Sequence, residues 1–332
     1  MNSVKRIILP ALAVTLVVFC ANCRPLQLAT CRPRPADLCC IGLDTHDGEL
    51  TPLQLRPASI YCLGFTYASH IEEMGFTVQP DKPPPVFKKA PSTLAAPGSA
   101  TRMPTRETLI AVLERTEPGL GGKIDRDFNQ LPPLLDYEGE LAFVLLEDID
   151  WGKIENHDYA PRLGYFIAND ISARTIAALG EGRPNRYDYW AASKSLPGFL
   201  PVGTHMWIPY KHRPDAILCT TIATRVNGEL RQQQPTSDLL YTPRQMLRFI
   251  YRRYPDDPPR KGDVILTGTP GGTALRVPAW RRFAANLLRL DRFERLSALI
   301  RSNTRNNRYL HPGDEVVVSG GIMGAATTRI VH

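Results

Sequence analysis

Apolar and polar positions alternate most clearly along residues 135–145, in a run bounded by Pro132-Pro133 and an acidic turn, which predicts a β-strand. Alternation puts Glu138, Glu140, Ala142 and Val144 on one face and Tyr137, Leu141, Phe143 and Leu145 on the other. A second short apolar run, 165–168, ends in Asn169-Asp170 with Ser172 and Arg174 just beyond. Further strands are predicted at 61–66, in a hairpin over 217–230 turning on Asn227-Gly228, and in a run from Gly262 into a TGTPGG segment. Residues 24–59 form a small β-rich N-terminal segment with a turn at Asp47-Gly48. Helical spacing is rarer. A short helix is expected to begin at SHIEEM with Ser69 as cap, and another covers 107–116, followed by a Gly-rich turn. A third starts at Thr242-Pro243, where Gln245 completes a capping box and Met246, Leu247 and Ile250 form the buried face. Residues 277–308 carry Trp280, Phe283, Leu287, Leu290, Phe293, Leu296 and Ile300 at helical spacing, an inserted amphipathic helix or helical pair. Residues 80–104 are proline-rich and read as loop.

Composition alters this picture in three places. The net charge of +7 lies almost entirely in the insertion, where eight arginines between Arg281 and Arg308 face only Asp291 and Glu294. No nucleic-acid motif accompanies them, so no nucleic-acid partner is expected; a solvated face, a partner helix or an anionic bilayer would suit such a helix. At the N-terminus, Lys5-Arg6 precede an apolar stretch over 7–21 closed by Arg24, so residues 1–23 read as a signal peptide or signal anchor. An exported or membrane-anchored cell-envelope location follows if that segment is genuine, and a cytoplasmic one if the start is misplaced. Of the seven cysteines, Cys20 and Cys23 form a C-x-x-C inside the N-terminal segment, where no folded redox site is expected, and the other five show no metal spacing; Cys62 and Cys219 lie in apolar runs and are expected to be buried free thiols.

The acids carry the chemistry. Glu138 and Glu140 side by side above small apolar residues would repel each other and lose hydration, costs that a bound cation removes. Asp170 at a strand end can join them in an all-oxygen site of the kind Mg²⁺, Mn²⁺ or Ca²⁺ prefers, unlike the nitrogen–sulfur sites of Zn²⁺. Two surface acids on a solvated edge strand remain the alternative. His70 and Glu73 stand three apart, so on a helix they share a face. TGTPGG lacks the Lys-Ser/Thr of a phosphate loop.

Six segments, in this order, resemble the fumarylacetoacetate hydrolase superfamily: YCLGFTYASHIEEMG from Tyr61, DYEGELA from Asp136, NDISAR from Asn169, YWAASKS from Tyr189, GDVILTGTPGG from Gly262 and HPGDEVVVSGGIMG from His311. The resemblance spans about residue 60 to the C-terminus, which makes 60–332 the catalytic domain. It implies a mainly β (α+β) fold, with mixed sheets curled into a roll or partly closed barrel, short helices and the helical insertion. It further implies Mg²⁺ (or Mn²⁺ or Ca²⁺) on Glu138, Glu140 and Asp170, with His70 activating water, Glu73 supporting it and Lys194 stabilising developing charge. Tyr67, Arg174 and Thr269 are expected in the substrate pocket, and a substrate-side loop at Phe87-Lys88. The implied activity is C–C bond hydrolysis of a small dicarbonyl or 2-oxo acid, by a homodimer. Decarboxylation and isomerisation use the same chemistry. The chain departs from the pattern at Thr175, Ala177 and Leu196-Pro197, which leaves open a different substrate, or a tethered binding protein without turnover.

Overall fold

The strand that carries Glu140 and follows directly on Glu138 lies in the middle of the larger of two principal sheets. The computed structural model describes residues 39–332 apart from 80–81, 157, 214–215, 276–289 and 304–305, with side chains described from residue 41. The described residues belong to one compact unit, Asp37–His332. Strands are numbered in chain order. The larger sheet has seven, in the order β2 (Gly48–Pro52), β12 (His205–Pro209), β9 (Leu163–Asn169), β8 (Gly139–Leu145), β16 (Val264–Leu266), β3 (Ile60–Leu63) and β4 (Val86–Lys89). All its pairings are antiparallel except β16 with β3. The second sheet has five, in the order β15 (Glu229–Pro235), β14 (Thr221–Val226), β17 (Glu315–Ser319), β18 (Ala325–Val331) and β6 (Thr101–Arg102). Three short pairs complete the β structure: β1 (Cys39–Gly42) with β13 (Ala216–Cys219), β5 (Leu94–Ala95) with β11 (Leu200–Pro201), and β7 (Leu135–Asp136) with β10 (Ser172–Ala173). The sheets curl over a shared core without closing into a barrel.

The alternation read along residues 135–145 sorts the core as expected from Gly139 onward, but the strand is interrupted at 137–138 and Tyr137 packs in a different cluster, with Leu135 and Ile171. Leu141, Phe143 and Leu145 join Tyr165, Trp207 and Ile265 against Ile222, Val318 and Ala326 of the second sheet. Ala142 and Val144 lie on the opposite face with Ile60, Cys62, Phe87 and Phe166. At the head of β8 the two sheets come close enough to require glycine. A Cβ on Gly139 would stand 2.3 Å from Thr224 Oγ1 and 2.9 Å from Val318 Cγ1. Gly139→Ala is therefore expected to cost about 1–3 kcal/mol by forcing the sheets apart. Urea unfolding would check this, and an unchanged midpoint would contradict it.

The helices pack outside the sheets. α1 (Ala68–Glu73) has Tyr67, not Ser69, as its N-cap; the Ser69 N–H donates to Asp238 Oδ2 at 2.9 Å, and its hydroxyl accepts from the Gly271 N–H at 3.5 Å instead of capping the helix. α2 (Arg106–Thr116) forms as predicted, but the Gly-rich stretch after it is a second helix, α3 (Leu120–Asp127), entered through Gly119 at φ +85°. The sequence pattern understated it because Gly121 and Gly122 are poor helix formers, whereas Leu120 and Ile124 bury its apolar side. α4 (Arg174–Leu179) and α5 (Arg186–Lys194) follow β10, and α6 (Pro243–Arg253) has the full Thr242–Gln245 capping box. α7 (Arg292–Asn303) is the described part of the insertion; residues 276–289 lie outside the described residues. Leu296 and Ile300 bury its apolar side in the core cluster that also holds α2, α3 and α4. Arg292 binds Glu117 through both amino groups at 2.7 and 2.8 Å and reaches the Tyr189 hydroxyl at 3.2 Å. Phe293 meets Phe128, with Lys123 over its ring. The two stretches with no evident role in the sequence thus brace each other behind α5.

The 80–104 stretch is not all loop, since β4, β5 and β6 lie in it. β1 and β2 from the 24–59 stretch pair with β13 and β12. Cys62 is a buried free thiol, but Cys219 is disulfide-bonded. Its strand runs beside β1, a neighbourhood that apolarity alone did not reveal. The N-terminal segment 1–23 lies outside the described residues, and no helix among the described residues is long and apolar enough to cross a membrane.

Candidate functional site

Strand register assembles the acidic cluster. Gly139 on β8 pairs with Asn169 on β9, so the residues flanking that pair, Glu138 and Asp170, meet at the sheet's end. The Asp170 N–H donates to the Glu138 carbonyl at 2.8 Å, and Asn169 Oδ1 accepts from the Glu138 N–H at 3.0 Å. Glu140, one pleat further, faces the same way. One carboxylate oxygen from each of Glu138, Glu140 and Asp170 lies within 4.8 Å of the others, and all three residues are buried.

Three cations surround this triad, unevenly. Lys194 Nζ lies 2.8 Å from Glu138 Oε2, 2.8 Å from Asp170 Oδ2 and 2.7 Å from Ser172 Oγ. Ser172 in turn donates to Glu138 Oε1 at 2.9 Å. Arg174 spans Asp136 (2.8 Å) and Glu138 (2.7 Å). Lys89 Nζ donates to Asp170 Oδ1 at 2.6 Å and to the Phe199 carbonyl at 3.1 Å. Glu138, Asp170 and Asp136 are thereby matched. Glu140 receives the Gly268 N–H at 2.8 Å and no ion pair among the described residues. Gly268 can make this contact because it sits at φ +93°, and a Cβ there would lie 2.3 Å from Thr66 Oγ1.

The two glutamates respond oppositely to burial. For Glu138, burial pushes the pKa up, but Arg174 and then Lys194 outweigh it and hold the carboxyl at about 2. For Glu140, burial comes first and the charge of Asp170 adds to it; Lys194 opposes them, Glu138 adds a smaller push, and the pKa is raised well above the ordinary value. Lys194 is raised despite its burial, by Asp170 and Glu138. One buried carboxyl in no ion pair of its own, beside two that are paired, leaves a position where a cation would favour the ionised form over the proton. An all-oxygen donor set of this kind fits Mg²⁺ or Mn²⁺.

The other expected residues fall in two groups. His70 packs its ring against Phe65, and its Nδ1 is buried without a hydrogen-bond partner, 3.8 Å from Glu73 Oε2. That separation suits a charge pair but is too long for a hydrogen bond. Glu73 Oε2 accepts the Gly272 N–H at 2.7 Å, which ties α1 to the TGTPGG loop. The Gly272 carbonyl accepts from Arg308 Nη2 at 2.9 Å and from the Tyr137 hydroxyl at 3.2 Å. Arg308→Met should therefore loosen Gly272 and with it Glu73, lowering kcat by about 10- to 100-fold. Metal affinity should hold, and activity within twofold of wild type would contradict the linkage. Tyr67 and Thr269 are enclosed in the framework. The Tyr67 hydroxyl is buried without a hydrogen-bond partner, and burial, followed by the charge of Glu140, raises its pKa. Thr269 Oγ1 donates to the Gly139 carbonyl at 3.2 Å and accepts from Gln232 Nε2 at 2.9 Å.

Phe87-Lys88, expected in a substrate-side loop, lie instead on strand β4, and the residue of that strand that reaches the acids is Lys89. Lys88 lies on the outer side of β4, paired with Asp257 and over the Tyr61 ring. Strand alternation was the available signal, because Phe87 and Lys89 share the face toward Ile60 and Cys62. Asp136 was overlooked altogether, although it receives Arg174 and the N–H groups of Ala274 and Leu275.

A family model described as fumarylacetoacetate (FAA) hydrolase C-terminal matches residues 59–331. The chain belongs to the fumarylacetoacetate hydrolase family. Among its relatives, an uncharacterised protein of Pyrococcus horikoshii is 30% identical over 234 residues, covering 68% of this chain and 84% of the relative. The oxaloacetate tautomerase YisK of Bacillus subtilis is 28% identical over 222 residues, 67% of this family member and 61% of that protein. Among solved structures, a fumarylacetoacetate hydrolase from Exiguobacterium antarcticum superposes with a TM-score of 0.52 at 25% identity, covering 84% of this chain and 77% of that one. Fumarylpyruvate hydrolase from Pseudomonas aeruginosa, solved with Mn²⁺ and pyruvate, shares the fold at a TM-score of 0.53 and 19% identity, covering 85% and 92%. The characterised relatives of the family are enzymes and include hydrolases, isomerases, decarboxylases and tautomerases.

Proposed function

We propose that this protein is a divalent-metal-dependent hydrolase that cleaves a C–C bond in an acylpyruvate-like 2-oxo acid. The observation that carries the reading is the buried triad of Glu138, Glu140 and Asp170 with one carboxylate uncompensated. These three residues would hold one Mg²⁺ or Mn²⁺, which supplies Lewis acidity toward the paired oxygens of a 2-oxo acid. His70 acts as general base: it takes a proton from water as the water oxygen bonds to the acyl carbonyl. The bond between that carbonyl carbon and the adjacent methylene then breaks. Its electron pair passes to the pyruvate fragment as an enolate, which is protonated to pyruvate, and the acyl fragment leaves as a carboxylic acid. Glu73 lends negative charge to the imidazolium while it holds the proton. Lys194 helps keep Glu138 ionised, pairs with Asp170 and places positive charge beside the developing enolate.

Tautomerisation or decarboxylation of a 2-oxo acid is the second reading, favoured by the 28% identity to an oxaloacetate tautomerase and the 29% identity to a bifunctional isomerase/decarboxylase of Salmonella dublin, of which the match covers 42%. Both reactions need the enolate but no attacking water. Turnover of acylpyruvates and of oxaloacetate, with and without added Mn²⁺, separates them. Metal-dependent release of a carboxylic acid from acylpyruvates is the expected result. Enolisation or CO₂ release without it would replace the hydrolase, and no Mn²⁺ binding at all would end the proposal.

A further inference from the structure

One group of aromatic side chains beside His70 has no part in the chemistry described so far. Phe65 adopts φ +54°, a left-handed conformation that a bulky residue rarely holds unless its surroundings impose it. Its ring stacks on the His70 imidazole, with centroids 5.8 Å apart and planes 24° from parallel. The same ring meets Phe76 edge-on at 5.8 Å and Trp190 edge-on at 5.6 Å. Trp190 continues the row to Tyr187 at 5.5 Å. Phe76 is 51% exposed, one of few large apolar side chains left so open among the described residues.

The placement of these rings relative to the acids is fixed by two elements. Trp190 and Lys194 are four residues apart on α5 and so share a helix face, which puts the ring row and the cation bound to Glu138 and Asp170 on one side of that helix. His70 sits on α1, and the chain leaving α1 returns Phe76 through its N–H to the Ile71 carbonyl. A molecule anchored by its 2-oxo acid end at the carboxylate triad, with its acyl carbon at His70, would extend its far end along Phe65, Phe76 and Trp190.

Resting on the hydrolase reading, we propose that the acyl group of the substrate is apolar and preferably aromatic, seated on Phe65, Phe76 and Trp190. A phenyl group there gains ring contacts and apolar burial, whereas a carboxylate-ended chain would lose hydration against uncharged rings. The open edge at Phe76 sets where the acyl group meets solvent.

The test uses the full chain loaded with Mn²⁺ and three acylpyruvates whose acyl groups end in phenyl, methyl or carboxylate. The expected kcat/KM for the phenyl substrate is about tenfold or more above both others, the discrimination a well-matched apolar contact supplies. Phe76→Ala should collapse the phenyl-to-methyl ratio, mainly through KM, and Phe76→Leu should restore part of it. A preference for the carboxylate-ended substrate, or an unchanged ratio in Phe76→Ala, overturns the inference. Calorimetric binding of phenylpyruvate and oxaloacetate to the Mn²⁺-loaded protein separates this from the hydrolase reading. If no acylpyruvate turns over but phenylpyruvate binds tighter by about tenfold and Phe76→Ala removes the difference, the aromatic subsite stands and the hydrolase falls. Equal binding of the two acids overturns the subsite.

Discussion

Glu140→Gln is expected to stabilise the metal-free protein, and Glu138→Gln, two residues earlier on the same face, to destabilise it. Glu140 is buried with one N–H donor and two carboxylates for company, so its ionised form is a cost that the fold bears. A glutamine keeps the acceptor for Gly268 and removes the charge, a change worth about 1–4 kcal/mol in favour of the folded state. Glu138 is the reverse case, because its charge holds Arg174 and Lys194. Neutralising it leaves those buried cations undercompensated, at about 3–5 kcal/mol.

The pH dependence follows with opposite signs. The folded-state pKa of Glu140 is raised, so its destabilising effect is full above that pKa and disappears as pH falls toward the ordinary carboxylate range. The advantage of Glu140→Gln should therefore shrink on acidification. Glu138 is held at about 2, so its stabilisation is full above the ordinary value of 4.5 and is lost as pH falls from there toward 2. Metal binding must displace the proton that Glu140 tends to keep, so Mn²⁺ affinity should weaken as pH drops, and both variants should lose it. Urea unfolding in chelator across pH 4–8, beside Mn²⁺ titrations, reads all of these. A Glu140→Gln protein less stable than wild type at neutral pH would show that Glu140 already has its counterion.

The amino-acid pattern carried most of the framework and the acidic triad, for a physical reason. Period-two alternation fixes which side of a strand a residue occupies, so Glu138 and Glu140 were legible as neighbours before any partner strand was known. The Asn227-Gly228 hairpin and the Thr242 capping box were equally local: Asn227 and Gly228 take φ +51° and +80°, and the Thr242 hydroxyl accepts the Gln245 N–H. The contacts that were missed are long-range. Lys89 reaches Asp170 across 81 positions and Arg308 reaches Gly272 across 36, and no local period encodes either. The α3 helix was missed for a different reason, since its stability lies in Leu120 and Ile124 meeting the α7 cluster, not in its own glycine-containing turn.

His70→Ala should reduce kcat by about 10²- to 10⁴-fold, the usual contribution of a positioned general base, while leaving Mn²⁺ binding intact. The separation of functions follows from the geometry. His70 contributes no atom to the triad, and its imidazole is fixed by the stack on Phe65 rather than by any metal-side residue. Glu73→Gln should have a smaller effect, about tenfold, because at 3.8 Å it acts on the imidazole by charge rather than by a hydrogen bond. Its contact with the Gly272 N–H survives in glutamine through the side-chain oxygen, so the variant removes charge without freeing the TGTPGG loop. Arg308→Met makes the complementary change, keeping the Glu73 charge and freeing the loop. If both act through the placement of His70, neither should lower activity further in the His70→Ala background. Metal-dependent hydrolysis surviving in His70→Ala within a few-fold of wild type would remove the imidazole from the mechanism and shift the search for the base to the carboxylates themselves.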